Sequence, residues 1–302
     1  MAINNNQLDT WSHQGSITMS SQTYSSIKNC IDSINWNNDI SYEIYLQGSY
    51  KNSTNIFGES DVDIVVEFTS IFSSNTSNLD LVGKEVYNNL PDAKYTLDSF
   101  KSAIVEKLKS NYGEQNVIVG PKAIQINGNG SRLKADVVIC NTYKYYLPNN
   151  NQTNLPCIKG ILFVNTENYE KIINYPKKHY DNGVAKNTTE RTNGNYKKIV
   201  RIFRNIKAYL VNNKIIESKQ APSYFIECLL FNIDDNNYKS SSNRECVINV
   251  LNQIITDFKN GNVDNYNCQN KMIKLFGISN QQWNKDDAIL FLRETIKLWN
   301  QN

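Results

Sequence analysis

Three carboxylates and a Gly-Ser turn are the residues of this chain whose types and spacing could do chemistry. The stretch Tyr45-Leu-Gln47-Gly48-Ser49 reads as an apolar strand ending in a turn. A polar loop or short helix follows, then a strand beginning Asp61-Val62-Asp63. Side chains alternate faces along a strand, so Asp61 and Asp63 share one face while Val62, Ile64 and Val66 share the other. Two carboxylates at a strand end suit a hard divalent cation. The Gly48-Ser49 turn offers backbone N–H groups and a hydroxyl to a phosphate. A third acid, Asp136, stands inside the apolar run Ala135-Asp-Val-Val-Ile139. A lone buried carboxylate is costly, so Asp136 needs a partner. Carboxylates from adjacent strands converging on two ions about 3.5–4 Å apart would support phosphoryl or nucleotidyl transfer. Asp136 could also accept the proton of an attacking hydroxyl. A DxD alone is more often a turn or a helix cap; Gly48-Ser49 and Asp136 make the chemical reading the stronger one.

The elements that must position these residues follow from periodicity and breakers. Residues 1–15 read as a polar, loosely held start, and 20–36 as a helix with apolar positions Tyr24, Ile27, Ile31 and Ile34. Strands are expected at Tyr42–Leu46 and 61–68, a Ser/Asn-rich loop at 70–78, and a helix at 93–110 ended by Gly113. Further strands are expected at 116–119, 122–126 and 132–140, the last two joined by the turn Asn127-Gly-Asn-Gly-Ser131. Residues 143–147 and Cys157–Val164 add two strand candidates. From Asn195 onward the pattern is helical: Tyr196–Asn212, Ser223–Phe231 opened by Pro222, 242–260 and 286–299, with 271–276 a short further candidate.

Bulk properties narrow the class. The chain has 302 residues, 40% hydrophobic and 20% charged, with room for one large or two ordinary domains. A net charge of +3 is too small to argue for nucleic-acid binding. The charge is uneven, however. Residues 171–219 hold 12 Lys and Arg against 3 acids, leaving the rest net acidic. That suits a substrate bearing both metal ions and phosphates. Six cysteines show no CxxC pair and no zinc-finger spacing, as in a reduced, cytoplasmic protein. Neither a signal peptide nor a membrane-spanning run is expected. His13 and His179 have no catalytic mate, and each reads as a surface histidine.

These motifs resemble one family. Apolar-Gly-Ser, then Asp-Val-Asp, then a third Asp on a later strand is the pattern of nucleotidyltransferases typified by DNA polymerase beta. Gly48-Ser-Tyr-Lys-Asn-Ser-Thr-Asn-Ile56 with Ser60-Asp-Val-Asp-Ile64 is similar to the branch of cyclic GMP-AMP synthase, oligoadenylate synthase and the bacterial cyclic-oligonucleotide synthases (CD-NTases). Pro222-Ser-Tyr-Phe-Ile-Glu227 resembles the Ser-Tyr motif of their C-terminal lobe, in which Ser contacts phosphate and Tyr stacks on a nucleobase. The resemblance implies those roles for Ser223 and Tyr224, and nucleotide binding for Gln47, Gly48 and Ser49.

It also implies a triphosphate-binding Lys on the preceding helix. With Lys197 at zero on a helical wheel, Arg201 and Arg204 fall near ~40° and ~340°, and Lys207 near ~280° beside an apolar stripe at ~140–240°. Lys207 is therefore the phosphate candidate, and the other three are expected to face solvent. The segment 175–192 reads as a basic loop that could line the nucleotide cleft or contact a regulatory protein.

The expected architecture is α/β (α+β): a nucleotidyltransferase core with a mixed sheet and N-terminal helix over 1–165, then a linker and helical C-terminal lobe over 166–302 closing the nucleotide cleft. The expected cofactor is Mg²⁺ at a two-metal site formed by Asp61, Asp63 and Asp136, with Mn²⁺ a substitute. The expected reaction joins ribonucleoside triphosphates, ATP and GTP among them, into a cyclic di- or trinucleotide and releases pyrophosphate. The implied setting is bacterial antiphage signalling through a product-sensing effector, with no obligatory nucleic acid and no membrane. Transfer to an RNA end, small molecule or protein is the alternative enzyme, and a silent nucleotide-binding module the alternative outside enzymes.

Overall fold

The computed structural model describes residues 3–58 and 61–300. In chain order its elements begin with α1 (Asn5–Ser12), α2 (Thr18–Asp32), β1 (Tyr42–Leu46), α3 (Gly48–Asn52) and β2 (Val62–Asn75). Helices α4 (Leu81–Asn88) and α5 (Leu97–Tyr112) precede β3 (Val117–Val119), β4 (Ile124–Ile126), β5 (Ala135–Tyr146), β6 (Cys157–Val164) and β7 (Lys171–Asn174). The rest is helical: α6 (Pro176–Lys186), α7 (Thr189–Thr192), α8 (Tyr196–Asn212), α9 (Ser223–Phe231), α10 (Asn243–Asn260) and α11 (Lys285–Asn300). The chain forms two compact units: residues 17–47 and 60–176 in one, and 1–16, 48–59 and 177–302 in the other. The expected single boundary near 165 is thus replaced by a division in which the chain passes between units repeatedly.

The first unit is built on a mixed sheet in which β1-β2-β5-β4-β3 run side by side and the far half of β5 also pairs with β6, which pairs with β7. The β2–β5 pair is parallel and its neighbours are antiparallel. Alternation then sorts the side chains. Val62, Ile64, Val66 and Phe68 of β2 are fully buried on the face packed by α2 and α5, where the Phe68 and Phe100 rings stack at 4.3 Å. The opposite face carries Asp63 and Asp136 at one end, then an apolar cluster of Val65, Val138, Cys140, Ile161 and Phe163.

Several expectations change here. Strand β2 runs to Asn75 through the segment read as a loop, because its second half pairs with 142–145 of β5 after a register shift. Strand β5 absorbs the separate strand expected at 143–147. Helix α5 starts at Leu97 because Thr96 caps it, its hydroxyl accepting the Ser99 amide. Helix α4 was not foreseen, and 271–276 form bridged turns in place of a helix.

The helical unit has its own core. Ile199, Ile202, Phe203, Ile206 and Leu210 of α8 are all buried, as their 3.6-residue spacing requires, against Phe225, Ile226 and Leu229 of α9 and Val247, Val250 and Ile254 of α10. The N-terminal segment belongs to this core. Asn4 caps α1 through the Gln7 amide at 2.8 Å, and Leu8 is 1% exposed where α1 packs on α8 and α10. The polar composition of the first 15 residues hid a helix that needs only Ile3, Leu8 and Trp11 to dock. All six cysteines are free. No helix among the described residues is long and apolar enough to cross a membrane.

Leu8→Ala should destabilise the protein by about 2–5 kcal/mol, the usual loss for truncating a fully buried Leu. A guanidinium titration in which the mutant midpoint matches wild type would show that α1 is loosely held.

Candidate active site

The three acids sit where the parallel register puts them. Asp63 of β2 is opposite Asp136 of β5, so their side chains leave the same face of neighbouring strands about 4.8 Å apart. Asp61 lies just before β2 and its carboxylate accepts a hydrogen bond from Lys134 Nζ at 3.0 Å. The Val62 amide donates to the Lys134 carbonyl at 2.9 Å, so the pairing of β2 with β5 itself holds this ion pair. The Lys134 ammonium is pushed up, first by its hydrogen bond to Asp61; burial opposes the rise, and the charges of Asp61, Asp136 and Asp63 add to it. All three carboxylates therefore act on one cation. Their oxygen donors are of the kind that hard divalent ions prefer. Among the described residues, no three His, Cys, Asp or Glu side chains are drawn together closely enough to hold an ion jointly. The donor set fits Mg²⁺ in chemistry, and Lys134 supplies a positive charge beside it.

Gln47 follows β1 directly, its backbone amide donating to the Asp63 carbonyl at 2.9 Å. Gly48 follows with φ +64°, a left-handed conformation that disfavours a Cβ, and this lets the strand turn at once into α3. Ser49 is half-buried at the start of that short helix.

Gly48, Ser49, Lys207, Ser223 and Tyr224 all belong to the helical unit. Lys207 is half-buried, as a position beside the apolar stripe should be. Ser223 is the first residue of α9 and half-buried, whereas Tyr224 keeps 41% of its surface exposed. The Tyr224 ring stacks on His179 at 4.7 Å and leans on Trp283 at 5.7 Å, while its hydroxyl accepts from Asn270. A held ring with open surface can serve as a stacking platform.

The basic residues of α8 do not behave as the wheel suggested. Arg204 is 3% exposed and Arg201 largely buried, so neither faces solvent. Arg201 donates to the Ser12 and Ser53 carbonyls at 2.6 Å each, and burial lowers its guanidinium to about 10, still charged at neutral pH. Arg204 donates to Thr54 Oγ1 at 3.2 Å and lies 3.4 Å from Glu227. Their bonding partners come from α1, α9 and the 48–59 segment, which a wheel drawn for α8 alone could not include. Lys197 is half-buried, its ammonium 5.7 Å from the Tyr180 ring.

Glu227 is the centre of this network. Its carboxylate accepts hydrogen bonds from Asn52 at 3.0 Å, from the Thr54 hydroxyl, and from His179 Nε2 at 2.9 Å. His179, read from sequence as a surface residue, is 4% exposed, and the segment read as a loop is α6 and α7. Burial alone would raise the Glu227 carboxyl; the hydrogen bond and charge of His179, the charge of Arg204 and the Thr54 hydroxyl outweigh it and hold the carboxyl below the ordinary carboxylate range. One signal for Glu227 was present in the sequence. It is the only acid within the apolar run 224–231, the same anomaly that marked Asp136.

Residues 181–300 match the family described as the cGAS/DncV-like nucleotidyltransferase C-terminal helical domain. The cyclic nucleotide synthase CdnE01 of Staphylococcus haemolyticus is 40% identical over the full length of both chains. A cyclic UMP-AMP synthase of Rhodothermus marinus is 37% identical over 99% of this chain and 98% of its own. The solved structure of Rhodothermus marinus CdnE c-UMP-AMP synthase with Apcpp and Upnpp is similar with a TM-score of 0.87 over 99% of this chain and 98% of that one, at 36% identity.

A carboxyl held low in the folded state stabilises it above the unfolded value, near 4.5, and that stabilisation fades as pH falls through the lower folded value. The melting-temperature gap between wild type and Glu227→Gln should therefore be full at neutral pH and shrink below about pH 4.5. A gap constant down to pH 3 would show that the Glu227 charge contributes nothing to the fold.

Proposed function

This chain belongs to the CD-NTase family of cyclic nucleotide synthases and is a nucleotidyltransferase; we propose that it joins ribonucleoside triphosphates into a cyclic di- or trinucleotide with release of pyrophosphate. The observation that carries the proposal is the parallel β2–β5 register, which sets Asp63 beside Asp136, with Asp61 just before β2. Full-length similarity to cyclic nucleotide synthases supports the choice of a cyclic product over transfer to another acceptor.

In this proposal Asp61, Asp63 and Asp136 hold Mg²⁺. The metal's contribution is to lower the pKa of a ribose hydroxyl and to neutralise triphosphate charge. Asp136 accepts the hydroxyl proton as the ribose oxygen bonds to the α-phosphorus of a second nucleotide. The bond from that phosphorus to the bridging oxygen breaks, and pyrophosphate leaves. A second such step closes the ring. Gln47, Gly48, Ser49, Lys207 and Ser223 bind phosphate oxygens, and the exposed Tyr224 ring stacks on a base. The family context supports a role in antiphage signalling, with a separate effector that reads the product.

Asp61→Asn, Asp63→Asn and Asp136→Asn should each lower turnover by at least about a thousandfold, and EDTA should abolish it reversibly. The measurement is chromatography of labelled ATP, GTP, CTP and UTP mixtures after phosphatase treatment. Phosphatase-resistant small products are expected. Label that appears only with an added RNA, alcohol or protein acceptor would replace cyclisation by transfer, and full activity in the Asp61→Asn/Asp63→Asn double mutant would overturn the metal assignment.

Tyr224→Ala should raise the KM for nucleotide by about tenfold, the loss of one stacking contact worth about 1–3 kcal/mol per base. Steady-state pyrophosphate release reads it, and an unchanged KM would remove Tyr224 from the binding surface.

A further inference from the structure

We propose that Glu227 is a positioning residue for the nucleotide: its buried carboxylate ties the turn carrying Gly48 and Ser49 to the helix carrying Ser223 and Tyr224. This rests on the nucleotide roles assigned above and concerns what holds those residues in place.

The connections are short. Thr54 gives its hydroxyl to Glu227, and its amide donates to the Ser49 carbonyl at 2.9 Å. Asn52, the last residue of α3, gives its side-chain amide to the other carboxylate oxygen. Ser53 between them has φ +56°, and its carbonyl is held by Arg201. The turn is thus closed by its own backbone and held at three successive residues from outside.

On α9, Glu227 lies one turn after Ser223 and on the same side of the helix. His179 bonds Glu227 through Nε2 while its ring stacks on Tyr224, so the carboxylate also orients that platform. His179 Nδ1 is buried with no hydrogen-bond partner among the described residues, which leaves Glu227 as the polar anchor of the imidazole. On α8, Arg204 lies one turn before Lys207 and on the same side. Ser49, Lys207, Ser223 and Tyr224 therefore each lie within one helical turn or one intermediary residue of the shell around a single carboxylate.

Stability alone is a poor reason for such a cluster. A buried ion pair replaced by well-packed apolar groups is often no less stable. What apolar packing lacks is direction. Hydrogen bonds from four side chains, on the 52–54 turn, α6 and α8, to two oxygens set the turn and helix in one register, and misplacement by about 1 Å of a binding group can cost on the order of a hundredfold.

The test compares wild type with Glu227→Gln, which keeps shape and removes charge, and with Thr54→Val, which removes one hydroxyl and leaves the carboxylate paired to His179 and Arg204. Steady-state pyrophosphate release gives kcat and KM, and titration with a fluorescent ATP analogue gives Kd without turnover. Both variants should raise KM and Kd about tenfold to a hundredfold while kcat stays within about threefold. The double variant should be no worse than Glu227→Gln alone, because both act through one contact. Leu8→Ala serves as the control: it should lower the melting temperature and leave KM unchanged.

KM and Kd within twofold of wild type in Thr54→Val, and in Glu227→Gln if it folds, would overturn the proposal whatever the loss in melting temperature. Should Glu227→Gln fail to fold, Thr54→Val decides alone. Wild type that binds the ATP analogue but makes no cyclic product would overturn the function proposed above while the Kd comparison still decides the positioning role. Wild type that binds no nucleotide would overturn both.

Discussion

A carboxylate that is 3% exposed must be compensated or it would not stay ionised, and in the helical unit that carboxylate is Glu227. Its partners are drawn from the end of α3 and the turn after it, from α6 and from α8. Removing one partner of a buried pair leaves an uncompensated charge, at a cost of about 3–5 kcal/mol. That is a large part of the margin by which an ordinary domain is stable. The placement of residues 48–54 is thus coupled to the C-terminal helices through electrostatics, although a long stretch of chain separates them. The apolar core of α8, α9 and α10 brings the helices together; the polar network decides how they are rotated and where the turn docks.

The sheet unit uses acids differently. Asp61, Asp63 and Asp136 stand at the start of two parallel strands, with apolar neighbours following on the same face. Glu67, further along that face, is buried and accepts from Tyr45 at 2.9 Å and Thr142 at 2.7 Å. The same alternation therefore gives one acid buried hydroxyl donors and leaves the three others beside an ammonium. A lysine paired to an acid at a strand end is a weak, solvent-screened contact. Carboxylates on one face of one sheet thus differ here in what surrounds them, not in what they are.

Much of this was legible in sequence because it depends on local periodicity. The period-2 pattern of β2 and the period-3.6 stripe of α8 are properties of single segments, and both appear as expected, α8 and α9 with their expected bounds. Errors gathered where a partner decides the outcome. The second half of β2 is polar enough to read as a loop and becomes a strand because β5 offers it hydrogen bonds. The first helix is polar enough to read as disorder and is held by a pocket of α8 and α10 side chains.

The sequence by itself determined the acids, their spacing, the strand faces they occupy, the Gly48 turn and the family to which these motifs belong. All of these reside in residues close together in the chain, or in types whose chemistry is plain without context. Only the tertiary structure decided that Asp63 and Asp136 are register partners, that His179 is buried, and that Arg201 and Arg204 turn inward as clamps. The physical reason is that the direction of a charged or polar side chain is set by the groups that bond it. The partners of these residues lie between 23 and 189 positions away, where no periodic pattern reaches.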